Sequence, residues 1–225
     1  MLCVGGCLMR AKKGLFIVVM FLMVIIFVAC GQSTEEKIFN HLEEAVLLEE
    51  EFEKQQEPIS DLEKQEQEIY EKIINLDMEK FSEIKKLSDQ AIEMIDERKE
   101  LLDIEKDSME ASKEEFLKVE SLFDQLEEKS AKDMASDLYD TMLIRYDEYT
   151  TLHDLYKSTL TLEEELYTLL KDEEAEHSDI ESKLKEINEQ IEEIIQANEN
   201  FNAHTSEYNA LKKKFYKEVG LETDV

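Results

Sequence analysis

After Gly31 this chain of 225 residues contains a single proline, Pro58, and a single further glycine, Gly220. Proline and glycine are the strongest breakers of regular structure, and a chain that omits both while favouring Glu, Lys, Leu and Ile defaults to long helix. The fold then reduces to a count of turns, which the apolar spacing has to supply.

A first stripe runs Ile38, His41, Ala45, Leu48, Phe52, Gln55, Ile59, Leu62, Glu66, Ile69, Ile73, Leu76. Its steps alternate three and four, which keeps one helix face turned to a partner. The stripe stays in phase across Pro58, so a helix kinked at that proline is expected, with a domain boundary as the rival reading. A second stripe, Phe81, Ile84, Ser88, Ala91, Ile95, Arg98, Leu102, Glu105, Met109, Ser112, Phe116, Val119, Phe123, Leu126, is offset from the first by one residue. The slip falls at Asn75-Leu76-Asp77, and it reads as a turn, for which Asn and Asp are suited, in preference to a stutter in one rod. A third segment starts near Ser130 and carries Met134, Leu138, Met142, Tyr146, Tyr149, Leu152, Tyr156, Leu160, Leu166 and Leu170. The acidic stretch Asp172 to His177 has no apolar face, and Ser178 with Glu181 forms a capping-box pattern for the next start. The last stripe is Ile180, Leu184, Ile187, Ile191, Ile194, Asn198, Phe201, Thr205, Tyr208, Leu211, Phe215, Val219, with Gly220 where a C-terminal cap belongs.

Turns near 76, 128 and 175 divide residues 35–220 into four helices of similar length. The expected fold is all-α: one domain, an elongated antiparallel up-and-down four-helix bundle with coiled-coil-like packing. A three-helix elongated coiled coil is the alternative, and homo-oligomeric pairing is compatible with either. Residues 221–225 read as a tail.

The first 29 residues belong to another chemical class. Arg10, Lys12 and Lys13 precede the apolar run Leu15 to Ala29, and no acidic residue interrupts them. Such a run is short for a bilayer span and reads as a cleaved signal peptide, with Met9 the better start. Its end, Phe27-Val28-Ala29-Cys30, resembles a bacterial lipobox. That resemblance implies a covalent diacylglycerol on Cys30, with or without N-acylation, and a short tether over 30–34. Two or three acyl chains hold a protein stably to a leaflet where one does not. The expected location is the extracytoplasmic face of the cell membrane. Cys3 and Cys7 lie before the cleavage point, so no intrachain disulfide follows residue 30.

Charge narrows the partners. Without the three basic residues of the signal, 23 Lys and Arg face 56 Asp and Glu, a formal net charge of −33. Nucleic acid is excluded as a partner, because its binding neutralises phosphates with basic side chains. The same charge repels anionic lipid and anionic wall polymers.

No catalytic constellation is visible. The mature chain has no Gly-rich phosphate loop and no thiol once Cys30 is alkylated, and of the histidines only His177 has the Glu-x-x-His spacing, with Glu174, inside the third turn. Neither a cofactor nor a metal site is expected, and the chain reads as a non-enzyme. Seam-facing Glu66, Arg98, Glu105, Asn198 and Thr205 serve either to select register or, if several meet in one layer, to hold a ligand. The runs Glu49-Glu50-Glu51-Glu53 and Asp172-Glu173-Glu174-Glu176 read as solvated faces with weak calcium attraction at most. Lys212, Lys213, Lys214 and Lys217 complement the last helix dipole, with contact to an anionic surface as the sharper reading. Tyr139, Tyr146, Tyr149 and Tyr156 make the third segment aromatic; core packing is the default, and a surface strip that stacks on wall sugars is the sharper alternative.

The lipobox combines with Glu35 to Glu43, Lys86-Leu87-Ser88-Asp89-Gln90-Ala91, Asp96-Glu97-Arg98-Lys99-Glu100, Asn198 to Asn202 and Tyr208-Asn209. Together they resemble the YkyA-like lipoproteins of Gram-positive bacteria, over nearly all of 30–220. The resemblance implies an elongated helical bundle at the cell surface and a cell-wall binding role for the family; it carries no catalytic or ligand residue onto this chain. The leading expectation is a membrane-anchored interaction or spacer module whose partner is a wall polymer or a surface protein. The alternatives are a specific peptidoglycan- or teichoic-acid-binding module, with divalent cations bridging anionic groups, and an enzyme with an unrecognised carboxylate site.

Overall fold

The computed structural model describes residues 32–221. Cys30, the lipobox and the signal lie outside the described residues. The first leg is α1 (Thr34–Leu48) followed by α2 (Glu50–Ile74). The second is α3 (Phe81–Phe116), continued by a 3-10 segment over Leu117–Gln125. The third is α4 (Lys129–Leu170) and the fourth is α5 (His177–Glu218). The chain is an all-α, elongated four-helix bundle, and the three turns fall where the stripes slip or lose their apolar face. One long helix over 35–127, as the three-helix alternative requires, is ruled out by the break between Ile74 and Phe81.

The first and last helices are closed by local hydrogen bonds at the two ends of the described chain. Ser33 Oγ accepts from the Glu36 backbone N–H and the Glu36 carboxylate accepts from the Ser33 N–H, each at 3.1 Å, a capping box that starts α1. Gly220 ends α5 with φ +72°, and the Leu221 N–H donates to the Tyr216 carbonyl at 2.8 Å. That αL glycine closes a Schellman motif, as the position of Gly220 predicts. The start of α5 departs from expectation. It is capped by Glu176 without a side-chain bond, and Ser178 already lies inside the helix. An upstream carboxylate near the helix N-terminus does the electrostatic work that the serine was expected to do.

The first leg is interrupted, but not by its proline. α2 runs unbroken through Pro58, and the break is at Glu49, nine residues earlier. There the Phe52 N–H donates to Ser108 Oγ at 3.1 Å, and Ser108 Oγ donates to the Leu48 carbonyl at 2.5 Å. A serine of α3 has thus entered the ladder bond that Phe52 and Leu48 would otherwise share, a recognised cause of helix kinks. The helix is continuous at Pro58, as the in-phase stripe predicts, and the interruption of this leg is a side-chain insertion at Glu49.

Up-and-down topology puts Ser33, the 126–128 turn and Gly220 at one end, called the base, and the 75–80 and 171–176 turns at the other, the tip. At 1.5 Å per residue the 42 residues of α4 separate base from tip by about 60 Å. The core divides along this axis. Near the base all four legs contribute, with Phe201, Tyr208, Phe215 and Tyr216 of α5 packed among Ile38, Leu42, Phe116 and Tyr146. Toward the tip the core cluster, Ile59 to Tyr167, takes residues from α2, α3 and α4 only. There α5 runs along α4 and its backbone approaches no other helix closely.

Candidate functional site

After residue 30 the chain has only two arginines, Arg98 and Arg145, and both are buried while no lysine of the described residues is. Guanidinium is the cation suited to burial, since its planar fork meets carboxylates with several fixed donors. Each arginine organises a polar layer.

The layer nearer the base joins all four legs. Arg145 of α4 donates Nη1 to Glu49 Oε1 at 2.8 Å and Nη2 to Glu49 Oε2 at 2.6 Å. Its Nε donates to Thr205 of α5 at 2.8 Å, and its guanidinium lies 4.7 Å from the Phe201 ring centroid. Ser112 of α3 donates to Glu49 at 3.0 Å and meets the Tyr146 hydroxyl at 2.7 Å. Glu49, which the sequence places in a solvated acidic run, is therefore a buried partner. The helix break at that residue accompanies the inward turn of its carboxylate.

The layer nearer the tip is less balanced. Arg98 of α3 donates Nη2 to Glu66 of α2 and, at 2.6 Å, to Glu163 of α4, and Nη1 to the Tyr156 hydroxyl at 3.2 Å. Tyr156 in turn donates to Glu63. One guanidinium serves two carboxylates directly and meets the third, Glu63, only through the Tyr156 hydroxyl. Burial and then the charge of Glu163 push the Glu66 carboxyl up to about 7 against the pull of Arg98, and burial raises Glu163 as well. Of the inward polar residues that the stripes predict, Glu66 and Arg98 meet here. Glu105 sits apart, accepting from Gln56 Nε2 at 2.5 Å; Thr205 belongs to the Arg145 layer; Asn198 is exposed. Arg145, Glu49, Glu163 and Glu63 are the participants that sequence reasoning misses.

Glu105 makes the pH dependence of stability calculable in sign. Burial, opposed by the Gln56 hydrogen bond, pushes its carboxyl from 4.5 up to about 7. A raised carboxyl means that the folded state holds the proton more tightly, so its stabilisation is full below the unfolded value and is lost as pH rises through about 7. Glu66 acts in the same direction. Urea unfolding is expected to give a higher stability at pH 5 than at pH 8, and Glu105→Gln to shrink that difference by about 2.5 kcal/mol.

Beside the Arg98 layer lies an open groove of about 520 Å³. α2 lines it with Glu63, Glu66, Gln67 and Tyr70, and α5 with Leu184, Ile187, Ile191 and Ile194. This is the tip half of the last stripe, expected as seam and found facing the groove, with Ile191 38 % exposed. Opposite it α2 presents carboxylates and an amide, so closing the two helices would strip water from charges without giving them partners.

The four tyrosines do not align outside the core. Tyr146 and Tyr149 are buried; half-buried Tyr139 stacks on Phe116 at 5.5 Å and donates to Glu120 at 3.1 Å; half-buried Tyr156 lies in the groove wall. Lys213, Lys214 and Lys217 are exposed at the base, whereas Lys212 pairs with Glu43 at 3.1 Å. His41 bonds Glu115 at 2.6 Å, and His153 is buried. Among the described residues no three His, Cys, Asp or Glu side chains are placed to hold a metal, and no helix is long and apolar enough to cross a membrane.

The family YkyA, described as "Putative cell-wall binding lipoprotein", matches residues 33–218 of this chain. Over 145 residues the chain is 30 % identical to "Uncharacterized lipoprotein YkyA" of Bacillus subtilis (strain 168), which covers 64 % of this chain and 65 % of that protein. The matched stretch thus spans just under two thirds of that relative. A solved structure, "1.6 A Crystal Structure of a Conserved Protein of Unknown Function from Staphylococcus aureus", has a TM-score of 0.68 over 84 % of this chain and 98 % of that one. At 14 % identity, that likeness shows the fold alone.

Proposed function

The chain belongs to the YkyA family, and from that premise we propose that it is a non-enzymatic lipoprotein, anchored through a diacylglycerol on Cys30, whose bundle stands off the membrane and presents its tip half to the cell wall. The topology carries this reading. The capping box at Ser33 begins the bundle three residues after Cys30, so the anchor leads straight into the base. The tip turns and the groove lie on the far side, the Arg98 layer at about 50 Å from Ser33 along the first leg.

Charge supports an upright stance. A net −33 repels an anionic leaflet, but the Debye length at physiological ionic strength is about 8 Å, so only the base is felt at the membrane. From Tyr208 to Gly220, α5 carries four lysines and one carboxylate, Glu218; from His177 to Glu207 it carries two lysines and eight carboxylates. The acidic length of the rod is kept away from lipid while its end tolerates it. The wall association in the family description fits a partner at tip height.

Photocrosslinking in cells from one residue at each end tests the stance. A probe at Met78, 64 % exposed at the tip, is expected to capture wall material or protein and no lipid, and a probe at Lys214 to capture lipid. Equal lipid capture from both positions would mean that the bundle lies flat.

A further inference from the structure

We propose that the tip-half groove is a binding site for a basic side chain carried between apolar ones on a peptide. The two walls ask for different chemistry. On α5, Leu184, Ile187, Ile191 and Ile194 form an apolar strip that belongs to neither core cluster, with Ile187 buried, Leu184 and Ile194 half-buried and Ile191 exposed. Facing it, Glu66 of α2 and Glu163 of α4 share one guanidinium, while Glu63 of α2 is held only by the Tyr156 hydroxyl, so the three carboxylates have one cation among them. The groove stays open because neither wall satisfies the other, and its volume is in the range of small-ligand sites.

An occupant that closes it must cover the strip with hydrocarbon and bring positive charge to the carboxylates. A third requirement is an acceptor. Arg98 lines the groove with its side chain 4 % exposed, and its Nε has no hydrogen-bond partner. A lysine or arginine residue flanked by apolar residues supplies all three, the acceptor being its own backbone carbonyl. A second copy of this chain is a poor occupant, since two surfaces of net charge −33 repel.

The charged and titratable groups that face the site are Glu63, Glu66 and Tyr70 on α2, Arg98 on α3, and Tyr156, Glu163 and Tyr167 on α4; α5 contributes Asn188 and no charge. Glu66 and Glu163 compete for Arg98, so the empty site retains a proton near neutrality that an incoming ammonium replaces. Binding is therefore coupled to proton release and tightens from pH 6 to pH 8.

The inference goes beyond the anchoring scheme and rests on it only in taking the tip half as the presented face. Its test uses the mature chain with Cys30→Ala in solution, at 0.3 M salt so that the general acidity of the surface is screened. The probes are acetyl-Leu-Lys-Leu-amide and its norleucine isostere, which lacks only the ammonium. Isoleucine methyl NMR is expected to show saturable shifts at Ile187, Ile191 and Ile194 with the lysine peptide, at least tenfold weaker binding of the norleucine peptide, and a loss of about tenfold with Glu163→Gln. Equal binding of both peptides would overturn the proposal, as would shifts scattered over the surface or undiminished binding to Glu163→Gln. Because Glu163→Gln leaves Glu66 as a partner for Arg98, it is expected to fold, and Ile191→Asp provides a second variant that spoils the strip alone. A negative result here with lipid captured only at the base leaves the anchored stance intact, while lipid capture from Met78 with positive peptide binding removes the stance and keeps the site.

Discussion

Arg145→Met is expected to destabilise the bundle by about 3–5 kcal/mol, the largest loss from any single side chain. The cost is only partly the lost ion pair. Glu49, with its side chain 12 % exposed, would keep its charge inside the bundle with Ser112 as its remaining donor. Arg145→Lys is not expected to rescue it, because an ammonium cannot give two parallel bonds to Glu49 and a third to Thr205 at once. Exchanging both partners, Glu49→Leu with Arg145→Met, is expected to recover most of the loss, since a buried pair replaced by apolar groups of similar shape is often neutral or better. Urea unfolding of the two single variants and the double variant measures this directly. Additive losses, or a loss below about 1 kcal/mol for Arg145→Met, would mean that the layer does not lock the four legs.

The layer also shows how far the sequence could be read. The second stripe was legible almost residue by residue: Phe81 to Val119 and Leu126 are all buried, with Phe123 partly so. α3 sits where it touches both the first and third legs, so its inward face has one solution and a strict heptad records it. The last stripe was legible in spacing and not in environment. Its base half is core and its tip half lines a groove, a difference decided by the polar face of α2 rather than by anything in α5.

Glu49 was not legible. It stands beside Glu50 and Glu51 with the same composition around it, and what distinguishes it is a helix break made by Ser108, a residue 60 positions from Leu48. A three-four count that assumes an unbroken ladder puts Leu48 in the seam, whereas the buried positions are Ile38, Leu42, Ala45 and Glu49. One signal was available. A chain that uses lysine for its surface and keeps arginine at two places marks those places as buried, and each buried cation needs a carboxylate from another leg. The candidate site was half legible on the same grounds, Glu66 and Arg98 from their seam positions, Glu163 and the open groove only from the packing.

Loss of the anchor is the other large effect. When the signal is exchanged for an ordinary secretory one and Cys30 for Ala, the chain is expected to leave the membrane fraction essentially completely. On the proposed anchoring the stable attachment comes from two acyl chains, and without them three basic side chains at the base give only weak, salt-sensitive attraction. Folding is expected to be unchanged, with the same helical circular dichroism and urea midpoint, because the bundle begins at the Ser33 cap.

The central claim is that a lipid on Cys30 holds the base of this bundle at the membrane, and the intact mass of the chain extracted from membranes tests it most directly. The account predicts a polypeptide that begins at Cys30 and carries the added mass of a thioether-linked diacylglycerol, alone or with one further acyl group. A membrane-bound chain that begins elsewhere, or that begins at Cys30 with no added mass, would contradict it.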